Sequence, residues 1–392
     1  MLTLSKPFTF ATSLKCSNCQ QDYPLSSINT YALCCNQPLV VEYDTSPGFL
    51  NTDLQYRHKN MWRFSEMLPV VKEENIVSLG EGMTPIFSLN KLAGRFGFAD
   101  LSMKDEPFNP TGSFKARGIS VAVSKAKEFK IDRCIIPTAG NAGGALAAYC
   151  AKANIKCTVV MPTHTPKIFK QECELYGAEL ILVDGLINDC AKKIEELNKD
   201  KQYFDVSTLK EPYRLEGKKT MGYEIAEQYN WDLPDVIVYP AGGGTGLIGI
   251  WKAFKEMQKL GWITGPLPKM IAVQSKNCAP LLYAFNDPVN WKKNFIPKAT
   301  IANGLAVPYP FGMNMMLKVL RESGGTVVTV EENEIIFGMK EIAKTEGILI
   351  APEGAATWKA LSHLLSTKQI NLSDKILLLN TGSGYKYLEN IN

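Results

Sequence analysis

The stretch NPTGSFKARG, residues 109–118, puts a lysine in an unusual place. Asn109, Pro110 and Gly112 mark a turn, and Thr111 or Ser113 suits the cap of a helix running from about Phe114 toward Phe129. Lys115 then falls in the first turn, where the helix dipole disfavours a cation. One reading is a surface lysine with its ammonium in water and its stem on the protein. The other is chemical. Close to partial positive charge and away from water, a lysine gives up its proton, and the neutral amine is a nucleophile able to take a carbonyl.

Three more segments carry residue types suited to chemistry. PTAGNAGGALAAY, residues 137–149, follows the apolar CIIP and opens a helix rich in Ala and Gly. Free amides at such a helix start suit a carboxylate, and Asn141 can both donate and accept hydrogen bonds. A plain turn of small residues for close packing is the competing reading. PAGGGTGLIG, residues 240–249, leaves the backbone bare at Gly242, Gly243, Gly244 and Gly246, so its N–H groups and Thr245 can wrap one phosphate. Gly244, Gly246 and Gly249 also make a formal GxGxxG. A dinucleotide needs an acid after the next strand, and KMIAVQS ends in Gln274 and Ser275, which argues against NAD. NTGSG, residues 380–384, follows KILLLN and offers the neutral hydroxyls of Thr381 and Ser383. A nucleophilic amine, an asparagine over an anion site, a phosphate cup and a hydroxyl match the needs of pyridoxal phosphate. That cofactor wants an amine for its aldehyde, a cup for its phosphate and a partner for its ring nitrogen.

The elements that must position these residues follow an α/β pattern. From about residue 100, short apolar strands (LSMK, CIIP, CTVVMP, ELILVD, QYFDV, DVIVYPA, KMIAVQ, KILLLN) alternate with helices, most clearly before residue 250. That alternation predicts βαβ units and parallel sheets, whose ligands bind beyond the carboxyl ends of the strands. At 392 residues, with 45% hydrophobic and 21% charged residues, the chain has room for two or three domains. A net charge of +4 without a long basic run points to neither nucleic acid nor a membrane surface. The N-terminus MLTLSKPFTFATS lacks a secretory apolar core, so a cytoplasmic protein is expected.

Of ten cysteines, six are scattered through apolar stretches and read as buried thiols. Cys16, Cys19, Cys34 and Cys35 cluster in a β-rich stretch closing with PLVVEYD, beyond which Trp62 and Met67 should pack on the main body. CSNC is a good metal knuckle, but adjacent cysteines do not easily aim both thiolates at one ion. The cluster reads either as a structural zinc site or as a zinc-ribbon-like module whose metal is weakened or lost.

The four motifs together resemble the fold-type II pyridoxal-phosphate enzymes, and within them the threonine synthase family. The resemblance spans about residues 78–388, with LGEGMTPIFSLNKL and KDEPFNPTGSFKARG among its segments. It implies two open parallel-sheet α/β domains and a small N-terminal zinc-ribbon-like module at 1–46. A large domain would take residues 47–120 and 216–392 on either side of a movable domain at 121–215. It places the cofactor on Lys115 as an imine, Asn141 on the ring oxygen, and the phosphate on Gly242, Gly243, Gly244, Thr245 and Gly246. Thr381 would meet the ring nitrogen, with Glu353 of APEGAA a further residue near the ring. Thr138, Ala139, Gly140 and Ala142 would hold the substrate carboxylate.

The family reaction turns O-phospho-L-homoserine and water into L-threonine and phosphate, so a second anion site is required. STLKEPYRLEGKKT, residues 207–220, supplies Ser207, Thr208 and Arg214 for it. Ala116, Ala139, Ala142 and Ser383 depart from the family's usual residues on the substrate side. The rival reading is a threonine or serine dehydratase, or another β-elimination or β-replacement enzyme on the same fold. A non-catalytic module recruiting a partner through its cysteines fits the intact lysine motif poorly. The expected partners are a small amino-acid substrate and a second copy of the chain.

Overall fold

The computed structural model describes residues 7–46 and 48–391, so residues 1–6 of the N-terminal module lie outside it. The chain starts with three short strands, β1 (Ala11–Cys16), β2 (Asp22–Pro24) and β3 (Leu39–Tyr43). They form one antiparallel sheet in the order β2-β1-β3, with Leu14, Cys16, Leu39 and Val41 on its buried side. Short 3-10 turns follow, and Trp62 and Met67 are buried as expected, the Trp62 indole donating to Glu81 and to Ser120.

Next come β4 (Ile86–Ser88), α1 (Asn90–Phe96), β5 (Asp100–Asp105) and α2 (Lys115–Glu128). The alternation continues through β6 (Arg133–Pro137), α3 (Asn141–Ala153), β7 (Lys156–Pro162), α4 (Lys167–Leu175), β8 (Glu179–Val183), α5 (Ile187–Leu197) and β9 (Phe204–Asp205). It runs on with α6 (Tyr213–Gln228), β10 (Val236–Pro240), α7 (Thr245–Lys259) and β11 (Lys269–Ser275). The last third holds α8 (Pro280–Asn286), α9 (Trp291–Asn294), α10 (Met313–Glu322), β12 (Thr326–Val330), α11 (Glu332–Glu346), α12 (Pro352–Ser366) and β13 (Lys375–Asn380).

Two compact units result, interleaved along the chain. The first comprises Met1–Met83, Lys115–Glu224 and Lys252–Thr264 and contains, besides the antiparallel sheet, a parallel sheet in the order β8-β7-β6-β9. The second comprises Thr84–Phe114, Ile225–Trp251 and Gly265–Asn392 and is built on a sheet in the order β12-β11-β10-β13-β5-β4. All its pairings are parallel except that of the edge strand β4. The central strands VIVYP and KILLLN are apolar almost throughout because helices cover both faces of a parallel sheet. The structure thus has the expected mixed α/β architecture with parallel sheets. The sequence reading left β12 unassigned, although TVVTV is a plain β-branched run.

Candidate active site

In the second unit the lysine loop is held by the loop that follows β13. Thr111 and Gly112 both adopt left-handed backbone, with φ of 61° and 64°, so the chain reverses sharply. The Phe114 amide then donates to the Thr381 carbonyl at 3.0 Å, and the Ser383 amide to the Gly112 carbonyl at 3.0 Å. The Lys386 ammonium donates to the Thr111 carbonyl at 2.8 Å. Lys115 is the next residue after Phe114 and the first of α2, as the helix-start signal indicated. Thr381 is 6% exposed at the end of β13. One residue before it, the Asn380 amide donates to Asp105 at 2.6 Å, and burial, only partly offset by that bond, pushes the Asp105 carboxyl up to about 6. This Asp–Asn pair was not singled out in the sequence, where nothing distinguishes it from ordinary strand ends.

The glycine loop lies between β10 and α7 in the same unit. A methyl group on Gly242 would run into the Gly304 carbonyl, one on Gly244 into Met316, and one on Gly246 into the Tyr239 hydroxyl. Gly244 is also left-handed, with φ of 81°. The loop is therefore bare by necessity, and the amides that head α7 have no intrahelical acceptor. Glu353 braces it from behind by accepting the Gly304 amide at 2.6 Å and the Tyr387 hydroxyl at 3.1 Å. The Gln274 amide accepts from Leu281 at 2.9 Å and donates to the Ala241 carbonyl at 3.0 Å, which fixes the loop's entry.

The first unit carries Lys115, the asparagine loop and Arg214. Helices α2 and α6 touch backbone to backbone. A methyl on Gly118 would lie 2.7 Å from the Arg214 carbonyl, and one on Gly217 would strike the Arg117 carbonyl. The fully buried Arg117 locks this crossing through Glu224 at 2.7 Å and Thr220 at 3.1 Å. Asn141 is the first residue of α3, and its Oδ1 is buried without a hydrogen-bond partner. The Thr138 amide is committed to Val160 and the Gly140 amide to the Thr138 hydroxyl, both near 3 Å. That leaves the amides of Asn141 and Ala142 heading α3, beside Ala139.

Arg214 is buried, only 3% exposed. Its Nη1 donates to the Val206 carbonyl at 2.6 Å and reaches the Thr208 hydroxyl at 3.5 Å, while its Nε is buried without a partner. Ser207 bonds Asp205 through its hydroxyl and through its amide at 2.8 Å. Glu211 caps α6 by accepting the amides of Tyr213 at 2.7 Å and Arg214 at 3.0 Å. Burial pushes the Glu211 carboxyl up to about 7 against the pull of Arg214, and raises that of Asp205.

The cysteines of the N-terminal sheet also converge. The Sγ atoms of Cys16, Cys19, Cys34 and Cys35 all lie within 4.8 Å of one another. No described helix is long and apolar enough to cross a membrane.

Comparison with known proteins points to one family. Residues 77–382 match the profile of the pyridoxal-phosphate dependent enzymes. Solved structures with this architecture include maize serine racemase (TM-score 0.65, 22% identity, 78% of this chain and 92% of that one). A hydrogen sulfide-producing enzyme from Fusobacterium nucleatum is similar as well (TM-score 0.62, 28% identity, 78% and 97%). The chain belongs to the pyridoxal-phosphate-dependent enzymes and, with relatives that match nearly its full length, to the threonine synthase family within them. The threonine synthase of Methanocaldococcus jannaschii is 34% identical, over 95% of this chain and 92% of that protein. The Methanosarcina acetivorans threonine synthase is 32% identical over 94% and 91%. The residues fit the cofactor: the glycine cradle has no room for side chains, and Asn141 carries a buried oxygen without a partner.

Proposed function

We propose that this chain converts O-phospho-L-homoserine and water to L-threonine and phosphate, with pyridoxal phosphate carried on Lys115. Bound there, the cofactor supplies an electron sink that acidifies the substrate hydrogens. The Gly242–Gly246 amides and the Thr245 hydroxyl hold the cofactor phosphate at the head of α7. The Asn141 side chain meets the ring oxygen and the Thr381 hydroxyl the ring nitrogen. A neutral hydroxyl there keeps the sink mild, which favours elimination and replacement over transamination. The Asn141 and Ala142 amides, flanked by Thr138, Ala139 and Gly140, take the substrate carboxylate. The Lys115 amine moves protons at Cα and Cβ as general base and acid. Phosphate then leaves Cγ, and water adds at Cβ.

The observation that carries the substrate choice is Arg214. It is a buried guanidinium with an unpartnered Nε, next to Ser207 and Thr208, on a helix pressed against that of Lys115. A second phosphate has use for such a group, and the substrate of a dehydratase has none. The test is to incubate the cofactor-loaded protein with O-phospho-L-homoserine and assay both products. Equal amounts of threonine and phosphate are expected. Turnover of L-threonine or L-serine to a keto acid, without phosphate release from the phosphorylated substrate, would replace this reading with a dehydratase.

A further inference from the structure

We propose that Cys16, Cys19, Cys34 and Cys35 form a tetrathiolate zinc site that holds the N-terminal sheet together. Tetrahedral zinc with bonds of about 2.3 Å sets its sulfurs about 3.8 Å apart. All four Sγ atoms lie within 4.8 Å of one another, and the Cys19–Cys34 pair is at 3.4 Å. Little adjustment separates this cluster from a coordination sphere.

The local chain explains how adjacent cysteines converge. Neighbours on a strand point to opposite faces. Cys34 and Cys35 are not on a strand; they sit at the tip of a turn closed by the Ala32–Gln37 bridge. Asn36, directly after Cys35, is left-handed with φ of 50°. The first pair is built alike: Cys16 ends β1, and Gln20, directly after Cys19, has φ of 65°. Two turns of the same kind thus present two thiols each to one point.

A donor is already aimed at one of the sulfurs: the Asn18 side-chain amide donates to Cys35 at 3.4 Å. Such a donor orients and supports a metal-bound thiolate. Four sulfurs with no oxygen or imidazole ligand select zinc over magnesium or calcium, and a closed set of four is structural rather than catalytic. The sheet needs such a staple, because its own core is little more than Leu14, Leu25, Ala32, Leu39 and Val41. As each sulfur–zinc bond forms, its thiol proton leaves to solvent, and no electrons are transferred.

The site has a reach beyond itself. β3 ends in Tyr43, whose hydroxyl donates to Glu216 of α6 at 2.8 Å. The Tyr43 ring also lies beneath the ammonium groups of Lys219 at 3.9 Å and Lys252 at 4.7 Å. Those two lysines are shared by the carboxylates of Glu216 and Glu256. The metal therefore secures a strand that is anchored in a buried ion network on the helix of Arg214.

The experiment is elemental analysis of the full-length protein, prepared with cofactor and without chelator, beside Cys19→Ser and Cys34→Ser. One zinc per chain is expected, falling at least tenfold in each variant while the cofactor absorbance persists. Should the variants fail to fold, the wild type decides alone. A mercurial thiol reagent should release its zinc, and cobalt-loaded protein should show sulfur-to-cobalt charge-transfer bands. A metal-free wild type, bound iron in place of zinc, a Cys19–Cys34 disulfide, or full zinc in both variants would overturn the proposal.

Discussion

The glycine loop at the head of α7 and the arginine pocket at the head of α6 are, in this account, two phosphate sites made of opposite materials. The first is all backbone. Gly242, Gly244 and Gly246 are forced small by Gly304, Met316 and Tyr239, and no charged side chain belongs to the loop. The second is all side chain. A buried guanidinium is held by the Val206 carbonyl, reaches the Thr208 hydroxyl and feels the carboxyls of Glu211 and Asp205. A backbone cradle suits a cofactor that stays, since helix-start amides bind without titrating or shifting rotamer. A side-chain pocket suits a substrate that must be told from its unphosphorylated relatives, because a ligand without the phosphate leaves the buried Arg214 Nε without a partner.

The largest effect is expected at the residue proposed to carry the cofactor. Lys115→Ala should lower turnover at least about 10³-fold and abolish the visible absorbance of the lysine-linked cofactor. Unchanged absorbance would remove Lys115 from the scheme. Next, Gly244→Ala should weaken pyridoxal phosphate about 10- to 100-fold by equilibrium titration, since alanine strains at φ of 81° and meets Met316. A variant that keeps wild-type cofactor affinity would mean that the loop is bare for packing only.

Arg214→Met sharpens the contrast from the other side. Cofactor affinity and absorbance should stay as they are, while kcat/KM for O-phospho-L-homoserine falls about 10- to 100-fold, as expected for a lost charged hydrogen bond. An equal loss of cofactor affinity would show that the arginine does not belong to a separate site.

The smallest effect is on stability. The Glu211 carboxyl titrates near 7 in the folded chain, against an ordinary value of 4.5, because burial outweighs the pull of Arg214. The folded state then holds the proton longer than the unfolded one. The Glu211 contribution is fully present below the ordinary value and is lost as pH rises through about 7. Denaturant unfolding between about pH 5 and about pH 8 should show this decline, worth at most about 3 kcal/mol, and Glu211→Gln should flatten it. Asp205 and Asp105 shift the same way, so part of the slope survives. An identical slope in the variant would assign it to those two groups.

How much was legible in the sequence follows the same divide. The alternating strands, the helix beginning at Lys115 and the glycine loop were readable because backbone requirements leave glycines, caps and apolar runs behind. The burial of Arg214 was not, since YRLEGKK has the composition of an exposed helix start; only the fold sets Gly118 against its carbonyl. The convergence of Cys34 and Cys35 was legible only as one of two readings of the cysteine cluster. It depends on a turn at Asn36, and adjacent cysteines read from spacing alone argue against it. The Asp105–Asn380 pair and the support of the glycine loop by Glu353 join residues 275 and 49 positions apart, beyond any local pattern.

The most direct test of the central claim is a turnover of O-phospho-L-homoserine in water enriched in oxygen-18, read by mass spectrometry of both products. Phosphate leaves with its bridging oxygen from Cγ and water enters at Cβ, so threonine should carry one heavy oxygen and phosphate none. Heavy oxygen in phosphate, with homoserine as the other product, would mean hydrolysis at phosphorus and would contradict the account.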